Sequence, residues 1–280
     1  MNKIELVLTV FRVLTGSFDK TAKIWSIDNG DECLCTMYGH TGEIVATDIS
    51  DCKQIVATSS MDKTTRLFST ATGQTLEVLK GHIGEVIVNQ FNYDGSNIIT
   101  GSFDGTIKLW DTRVAKCITT LTGHTAELST CCYNFEFSTI ASGSLDNTAK
   151  IWDLRTNSCR TTIIGHTDEV LDVSFDLVGR RLATASSDCN ACVWDVNNGD
   201  LISAMIGHSK EVSKVFWEPA GKHLLTASQD NSAMLWNTET GECTQKLEKH
   251  SDHVFSVNMS YHGDVILTAS KDNSCCIWKP

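Results

Sequence analysis

GHTAELSTCCYNFEFSTIASGSLDNTAKIWDLRTNSCRTTII, residues 123–164, is the stretch from which the fold is read. After Gly123-His124 the segment LSTCCYN has strand character, TIASGS is a second strand, TAKIWD a third and CRTTII a fourth. The runs are short and bounded by turn residues, with a tight turn through Asp146-Asn147, as an antiparallel four-stranded sheet requires. The second run is small or apolar at nearly every position, and so are its counterparts RLATAS, LLTAS, VILTAS and IITGS. A strand packed on both faces reads as a continuous run rather than as an alternation. Its Ala, Gly, Ser and Thr let neighbouring sheets approach closely. Helical periodicity is absent.

The stretch repeats outward in both directions. His40, His82, His124, His166, His208 and His250 stand 42 residues apart, and Trp110, Trp152, Trp194, Trp236 and Trp278 keep the same step. Phe68 fills the Trp slot one period earlier, and Trp25 precedes it by 43 residues. A period of about 40–45 residues with Gly-His early and Trp-Asp late is the pattern of a β-propeller built of four-stranded blades. The expected fold is all-β, one repeat domain over residues 1–280 with seven repeats visible. Met1–Val7 already lies at a first-strand position, and the chain stops at Trp278-Lys279-Pro280, in the third strand of its blade. The last blade is therefore expected to lack its outer strand and the N-terminal closing strand to be absent, leaving two open strand edges.

Four polar or aromatic positions recur together. The sets are His82/Ser102/Asp104/Trp110, His124/Ser144/Asp146/Trp152, His166/Ser186/Asp188/Trp194, His208/Ser228/Asp230/Trp236 and His250/Ser270/Asp272/Trp278. Imidazole, hydroxyl, carboxylate and indole N–H can satisfy one another in a buried chain, each bond contributing about 1 kcal/mol net. Ser, His and Asp together also suggest a nucleophilic triad, but catalysis needs one activated site, whereas a brace is needed once per blade. Two copies depart: His40/Ser60/Asp62 ends at Phe68, which has no N–H to donate, and Ser17/Asp19/Trp25 has no His.

Composition narrows the function. Hydrophobic residues make up 41% and charged residues 20% of the chain, which has two prolines and no low-complexity segment. A formal net charge of −11 argues against nucleic acid or an anionic membrane as partner, both of which need a basic footprint. Lys3, Glu5 and Arg12 interrupt the apolar first fourteen residues, which read as a strand rather than a targeting segment. A cytoplasmic monomer is expected. The twelve cysteines are read as reduced, buried small hydrophobes: Cys117, Cys159 and Cys243 fall on different blades, and Cys189-Asn-Ala-Cys192 has no second ligand pair for zinc. No phosphate-binding Gly loop and no isolated nucleophile–base pair occurs, so neither cofactor nor enzymatic activity is expected.

GHTAE…ASGSLDNTAKIWD and its neighbours resemble the WD-repeat family over essentially the whole chain. GHTGEI, GHIGEV, GHTAEL, GHTDEV and GHSKEV, with VLTGSFDKTAKIW, NIITGSFDGTIKLWD and ILTASKDNSCCIWK, are further similar to the dynein assembly factors with WD repeats of cilia and flagella. That resemblance implies a non-enzymatic adaptor linking outer-arm axonemal dynein to intraflagellar transport, located in the cytoplasm and in the cilium or flagellum and its base. It also implies a form lacking the N-terminal segment and first repeat.

A docking surface is readable beside the brace. Glu43, Glu85, Glu127, Glu169 and Glu211 follow each His by three residues, with His253 in the sixth place, and should form an acidic ring on one face. Phe18, Met61, Phe103 and Leu145 precede the turn Asp on four successive blades and should lie exposed on the same face, followed by Ser187, Gln229 and Lys271. The plainer reading is that each Glu merely salt-bridges a local Lys or caps the strand entry. Trp110-Asp-Thr-Arg113 and Trp152-Asp-Leu-Arg155 support an alternative, a substrate receptor of a cullin-RING ubiquitin ligase.

Overall fold

The computed structural model describes residues 5–9, 12–26, 32–260 and 262–279. Every regular element among them is a β-strand, with no helix, and the strands run in chain order as seven antiparallel sheets. The fold class is all-β, a β-propeller of seven blades. The chain divides into two compact units, Met1–Cys131 and Cys132–Pro280. Repeats touch chiefly their neighbours, so a division need not coincide with a linker.

In the first unit, β1 (Glu5–Thr9), β2 (Arg12–Gly16), β3 (Ala22–Ser26) and β4 (Cys33–Met37) form the first sheet. The second comprises β5 (Ile44–Ile49), β6 (Ile55–Ser60), β7 (Thr64–Ser69) and β8 (Thr75–Lys80). The third comprises β9 (Val86–Phe91), β10 (Asn97–Ser102), β11 (Ile107–Asp111) and β12 (Lys116–Leu121), and β13 (Leu128–Tyr133) starts the fourth. As its register position foretold, β1 pairs with β2, Glu5 opposite Gly16.

In the second unit, β14 (Thr139–Ser144), β15 (Thr148–Asp153) and β16 (Ser158–Ile164) continue the fourth sheet. The fifth comprises β17 (Val170–Phe175), β18 (Arg181–Ser186), β19 (Asn190–Asp195) and β20 (Leu201–Ile206). The sixth comprises β21 (Val212–Trp217), β22 (His223–Ser228), β23 (Ser232–Asn237) and β24 (Cys243–Glu248). The seventh holds three strands among the described residues, β25 (Val254–Met259), β26 (Ile266–Ser270) and β27 (Cys275–Trp278).

The second strand of each middle sheet is the core, as its small, apolar composition requires. In β6, β10, β14, β18 and β22 every residue after the first is buried. Fully burying each Ile or Leu there contributes about 1.5–3 kcal/mol. Neighbouring sheets are also stitched through their first strands. In the first unit Asp48 accepts from the Phe91 N–H at 2.7 Å, and the Asn89 amide donates to the Ala46 carbonyl at 3.2 Å. In the second, Asp172 accepts from the Val215 N–H at 3.0 Å and Ser213 donates to the Val254 carbonyl at 2.8 Å. Close approach sets a limit at Gly101 of β10, where an added Cβ would stand 2.6 Å from Val88 Cγ1 and 3.2 Å from Cys131 Sγ. Gly101→Ala is accordingly expected to cost about 1–3 kcal/mol by overpacking, measured as a lowered thermal midpoint; an unchanged midpoint would mean that Val88 gives way freely.

The turn after each turn Asp has a feature hidden in the sequence. Lys20, Lys63, Gly105, Asn147, Cys189, Asn231 and Asn273 share a left-handed backbone, with φ between 64° and 75°. Only one is Gly, so most copies carry that conformation at some steric cost. Cys189 is thus a turn residue. All twelve cysteines are free, but not all are buried: Cys33, Cys52, Cys159, Cys243 and Cys275 are exposed. The expectation of buried thiols fails for Cys33, Cys159 and Cys243 because they lie on outer strands, which have solvent on one side.

Candidate functional site

The recurring side chains form a directed chain of hydrogen bonds, but its hydroxyl is not the one expected. In the sixth sheet the Trp236 Nε1–H donates to Thr226 Oγ1 at 2.8 Å, Thr226 Oγ1 lies 2.7 Å from His208 Nε2, and His208 Nδ1 lies 2.8 Å from Asp230 Oδ2. Thr100, Thr184 and Thr268 link Trp110 to His82, Trp194 to His166 and Trp278 to His250 in the same way, with every bond between 2.6 and 2.9 Å. Asp104, Asp188 and Asp272 complete those chains on His82, His166 and His250 at 2.8 to 3.0 Å. Ser142 receives the Trp152 N–H at 2.8 Å in the fourth sheet, and Thr15 receives that of Trp25 at 2.9 Å in the first. In the second sheet Phe68 donates nothing, yet His40 still bonds Thr58 at 2.7 Å and Asp62 at 2.8 Å.

The tetrad reading is corrected accordingly: Ser60, Ser102, Ser144, Ser186, Ser228 and Ser270 are not links between His and Trp. Each instead accepts the backbone N–H of the Asp two residues on, at 3.1 Å, closing the turn. Ser17 does the same for Asp19 at 3.2 Å. The structure places Asp146 in that turn, where its Oδ1 receives the Thr148 N–H at 3.0 Å; His124 is half-buried at the head of the repeat.

Burial lowers the affinity of His40 and His82 for a proton, outweighing the pull of Asp62 and Asp104. For Asp62 and Asp104 burial works the other way, pushing the carboxyl up. Hydrogen bonds from Thr64, the Thr41 N–H and His40, and from Thr106, His82 and the Ile83 N–H, outweigh it and hold each carboxyl at about 2. A neutral imidazole between a carboxylate and a hydroxyl fixes every proton: Nδ1–H donates to Asp, the Thr hydroxyl donates to Nε2, and the indole donates to Thr. Every polar atom is used, so the chain is a brace without a reactive group to spare. Among the described residues no three His, Cys, Asp or Glu side chains are grouped as a metal ion would need.

The Glu series and the series before the turn Asp meet side by side. Met61 N–H donates to the Glu43 carbonyl, Phe103 to Glu85, Ser187 to Glu169, Gln229 to Glu211 and Lys271 to His253, at 2.9 to 3.0 Å. Glu43 and Glu127 are exposed, while Glu85, Glu169 and Glu211 are half-buried. The Glu211 carboxylate accepts the Gln229 side-chain amide, a neighbour of the second series rather than a Lys. His253 lies 3.7 Å from Asp252 and stacks edge-on against Phe255. Phe103 is exposed, but Phe18, Met61 and Leu145 are only half-buried, which corrects the expectation that all four lie exposed. One apolar residue escaped the sequence reading. Ile83 is 80% exposed and its N–H bonds Asp104 at 3.0 Å, which sets it beside Phe103. Its signal was a departure from register, since the slot holds Thr or Ser in the other copies: Thr41, Thr125, Thr167, Ser209 and Ser251.

The W-D-x-R pairs are partly structural. Trp110 and Trp152 are buried, while Asp111 and Asp153 accept the backbone N–H groups of Arg113 and Arg155 at 2.8 and 2.7 Å. Both arginines are exposed.

Compared with family models, the chain matches the WD domain, G-beta repeat, six times: over residues 31–69, 73–111, 115–153, 157–195, 199–237 and 241–279. Among curated proteins none matches.

Proposed function

The chain belongs to the WD domain, G-beta repeat family, and on that premise we propose that it is a non-catalytic adaptor in ciliary outer dynein arm assembly and transport. Propellers of this family generally bind proteins and are typically non-catalytic scaffolds. The observation that carries the binding reading is the surface at the ends of the second and third sheets. There Phe103 and Ile83 stand exposed, Phe103 paired through its backbone with Glu85, and Lys63 of the second sheet donates to the Ile83 carbonyl at 2.8 Å. Apolar anchors rimmed by carboxylates suit a protein partner carrying basic residues. The ciliary assignment rests on the resemblance of the in-register GHxxE strings, with axonemal dynein and intraflagellar transport components as partners. Cytoplasm and the cilium or flagellum and its base are the corresponding locations.

Phe103→Ala combined with Glu85→Lys is expected to abolish capture of outer-arm dynein and transport-train proteins from ciliated cells while leaving the thermal midpoint within a few degrees. Undiminished capture by the folded double variant would overturn the surface. Capture of a ligase adaptor in their place, lost on removing the exposed Arg113 and Arg155, would favour a substrate receptor of a cullin-RING ligase.

A further inference from the structure

One cross-strand position breaks the repeat in a way that opens a groove. Between the third and fourth strands of each sheet, one facing pair is Lys23–Thr36, Arg66–Val78, Lys108–Thr120, Lys150–Thr162 and Met234–Lys246 in the first, second, third, fourth and sixth sheets. Each includes a long cation. In the fifth sheet the pair is Cys192–Ala204. In the second and third sheets that cation reaches the Gly that precedes the buried His. A Cβ on Gly39 would stand 2.8 Å from Arg66 Nη1, and one on Gly81 would stand 4.0 Å from Lys108 Cε. Lys108 and Lys150 are tied down by bonds of 2.9 Å to Thr120 and Thr162. At Gly165 the nearest atoms all belong to the Trp194 ring, as they belong to the Trp236 ring at Gly207 of the sixth sheet, where the cation stands on the fourth strand. The fifth sheet is the one with no cation on either strand of the pair.

The result is a groove of about 330 Å³ along one face of the β19–β20 hairpin. Its walls include Trp194, Cys192, Ala204, Leu201, Ile164 and Ile206, together with the carboxylate-bearing Asp188. Ile164 and Ile206 are 75% and 73% exposed and line the same groove, so they form an apolar patch rather than scattered single residues. β20 is the edge strand of its sheet. Like β4 it carries no charged residue, whereas β8, β12, β16 and β24 each carry at least one. Charges on an edge strand protect it from pairing with another chain, so β20 is left receptive.

We propose that this groove is a docking site for an extended segment of a partner protein that supplies a Lys or Arg flanked by aliphatic residues. The second and third sheets show what the position accommodates: the Arg66 guanidinium in one and the end of the Lys108 stem in the other lie against the Gly of Gly-His. The partner's cation takes the place of the side chain that Cys192 has replaced, its stem crossing Gly165 and Trp194 and its head directed to Asp188. Its aliphatic neighbours pack on Ile164, Leu201 and Ile206. A second copy of this chain is disfavoured as occupant by the net charge of −11. The groove shares no residue with the Phe103 surface, so loss of binding at one is separable from loss at the other.

The test is fluorescence anisotropy of the purified protein with a labelled Thr-Ile-Lys-Ile-Thr peptide and its Thr-Ile-Glu-Ile-Thr counterpart. The Lys peptide is expected to bind about tenfold or more tightly than the Glu peptide. Cys192→Lys with Ala204→Thr, which installs the pair already present in the third and fourth sheets, should weaken the Lys peptide by about the same factor with no loss of thermal stability. Ile206→Glu, at an exposed position, should weaken it independently. Equal binding of both peptides, no binding up to about 1 mM, or binding indifferent to both variants would overturn the proposal. So would a concentration-dependent dimer that Ile206→Glu abolishes, since that would assign the groove to a second copy.

Discussion

Thr226→Val is expected to destabilise the protein by about 3 kcal/mol or more, although it exchanges a single hydroxyl for a methyl. Thr226 is fully buried and holds two partners at once, the Trp236 N–H at 2.8 Å and His208 Nε2 at 2.7 Å. Valine keeps the volume and the strand propensity, so no cavity term enters. What remains is a buried donor and a buried acceptor with nothing to meet, each costing about 1–3 kcal/mol. Trp236→Phe leaves the Thr226–His208 bond intact but removes one donor and part of a buried ring, and should cost about 1–2 kcal/mol; the second sheet already tolerates Phe68 in that slot. Ser228→Ala loses a turn bond to the Asp230 N–H and another to the Lys210 carbonyl, and should fall between the two. Urea unfolding midpoints for the three variants give the order directly. If Ser228→Ala proves the most damaging, the hub of the brace has been misplaced.

That hub shows where sequence reasoning stopped. The period of 42 residues carried the blade, its four strands and the buried second strand, because every copy must solve the same packing problem. Thr58, Thr100, Thr184, Thr226 and Thr268 keep the same period, yet threonine in a strand is ordinary. Ser two residues later, beside a turn Asp, looked the better hydrogen-bonding candidate. Strand register decides otherwise: Leu224 faces Trp236 and Thr226 faces Met234, so the indole reaches Thr226 while Ser228 faces Val212 at the end of its strand. The left-handed turn was equally hidden, since Lys20, Gly105, Asn147 and Cys189 share a conformation and no side-chain chemistry. The groove beside β20 needed the register too. Cys192 and Ala204 carry no signal as isolated residues and acquire one only as a facing pair that lacks a cation.

Acid should unfold the protein in two unequal steps, and the sign follows from the shifts at the brace. His40 and His82 hold a proton less readily in the fold than at their ordinary value of 6.5, because burial outweighs Asp62 and Asp104. The unfolded chain therefore binds more protons below that value, and their contribution is complete above pH 6.5 and erodes as the pH falls. Asp62 and Asp104 drop from 3.8 to about 2, with hydrogen bonds from Thr64 and Thr106 and from the two imidazoles overcoming burial. Asp188 and Asp230 are lowered by their bonds from His166 and His208 against the same penalty, and Asp272 chiefly by Ser274. A depressed carboxyl contributes stability that is present above 3.8 and lost as the pH falls toward 2. Since these carboxylates lie one per sheet, their losses accumulate over the same narrow interval. The expected profile is a plateau above pH 6.5, a shallow decline to about 4 and a steep one below it, followed as urea midpoints by circular dichroism. Asp104→Asn should lower the plateau and flatten the steep limb, because that position no longer releases a proton on folding. A midpoint unchanged between pH 4 and 2.5 would show that the carboxylates are not what the fold holds ionised.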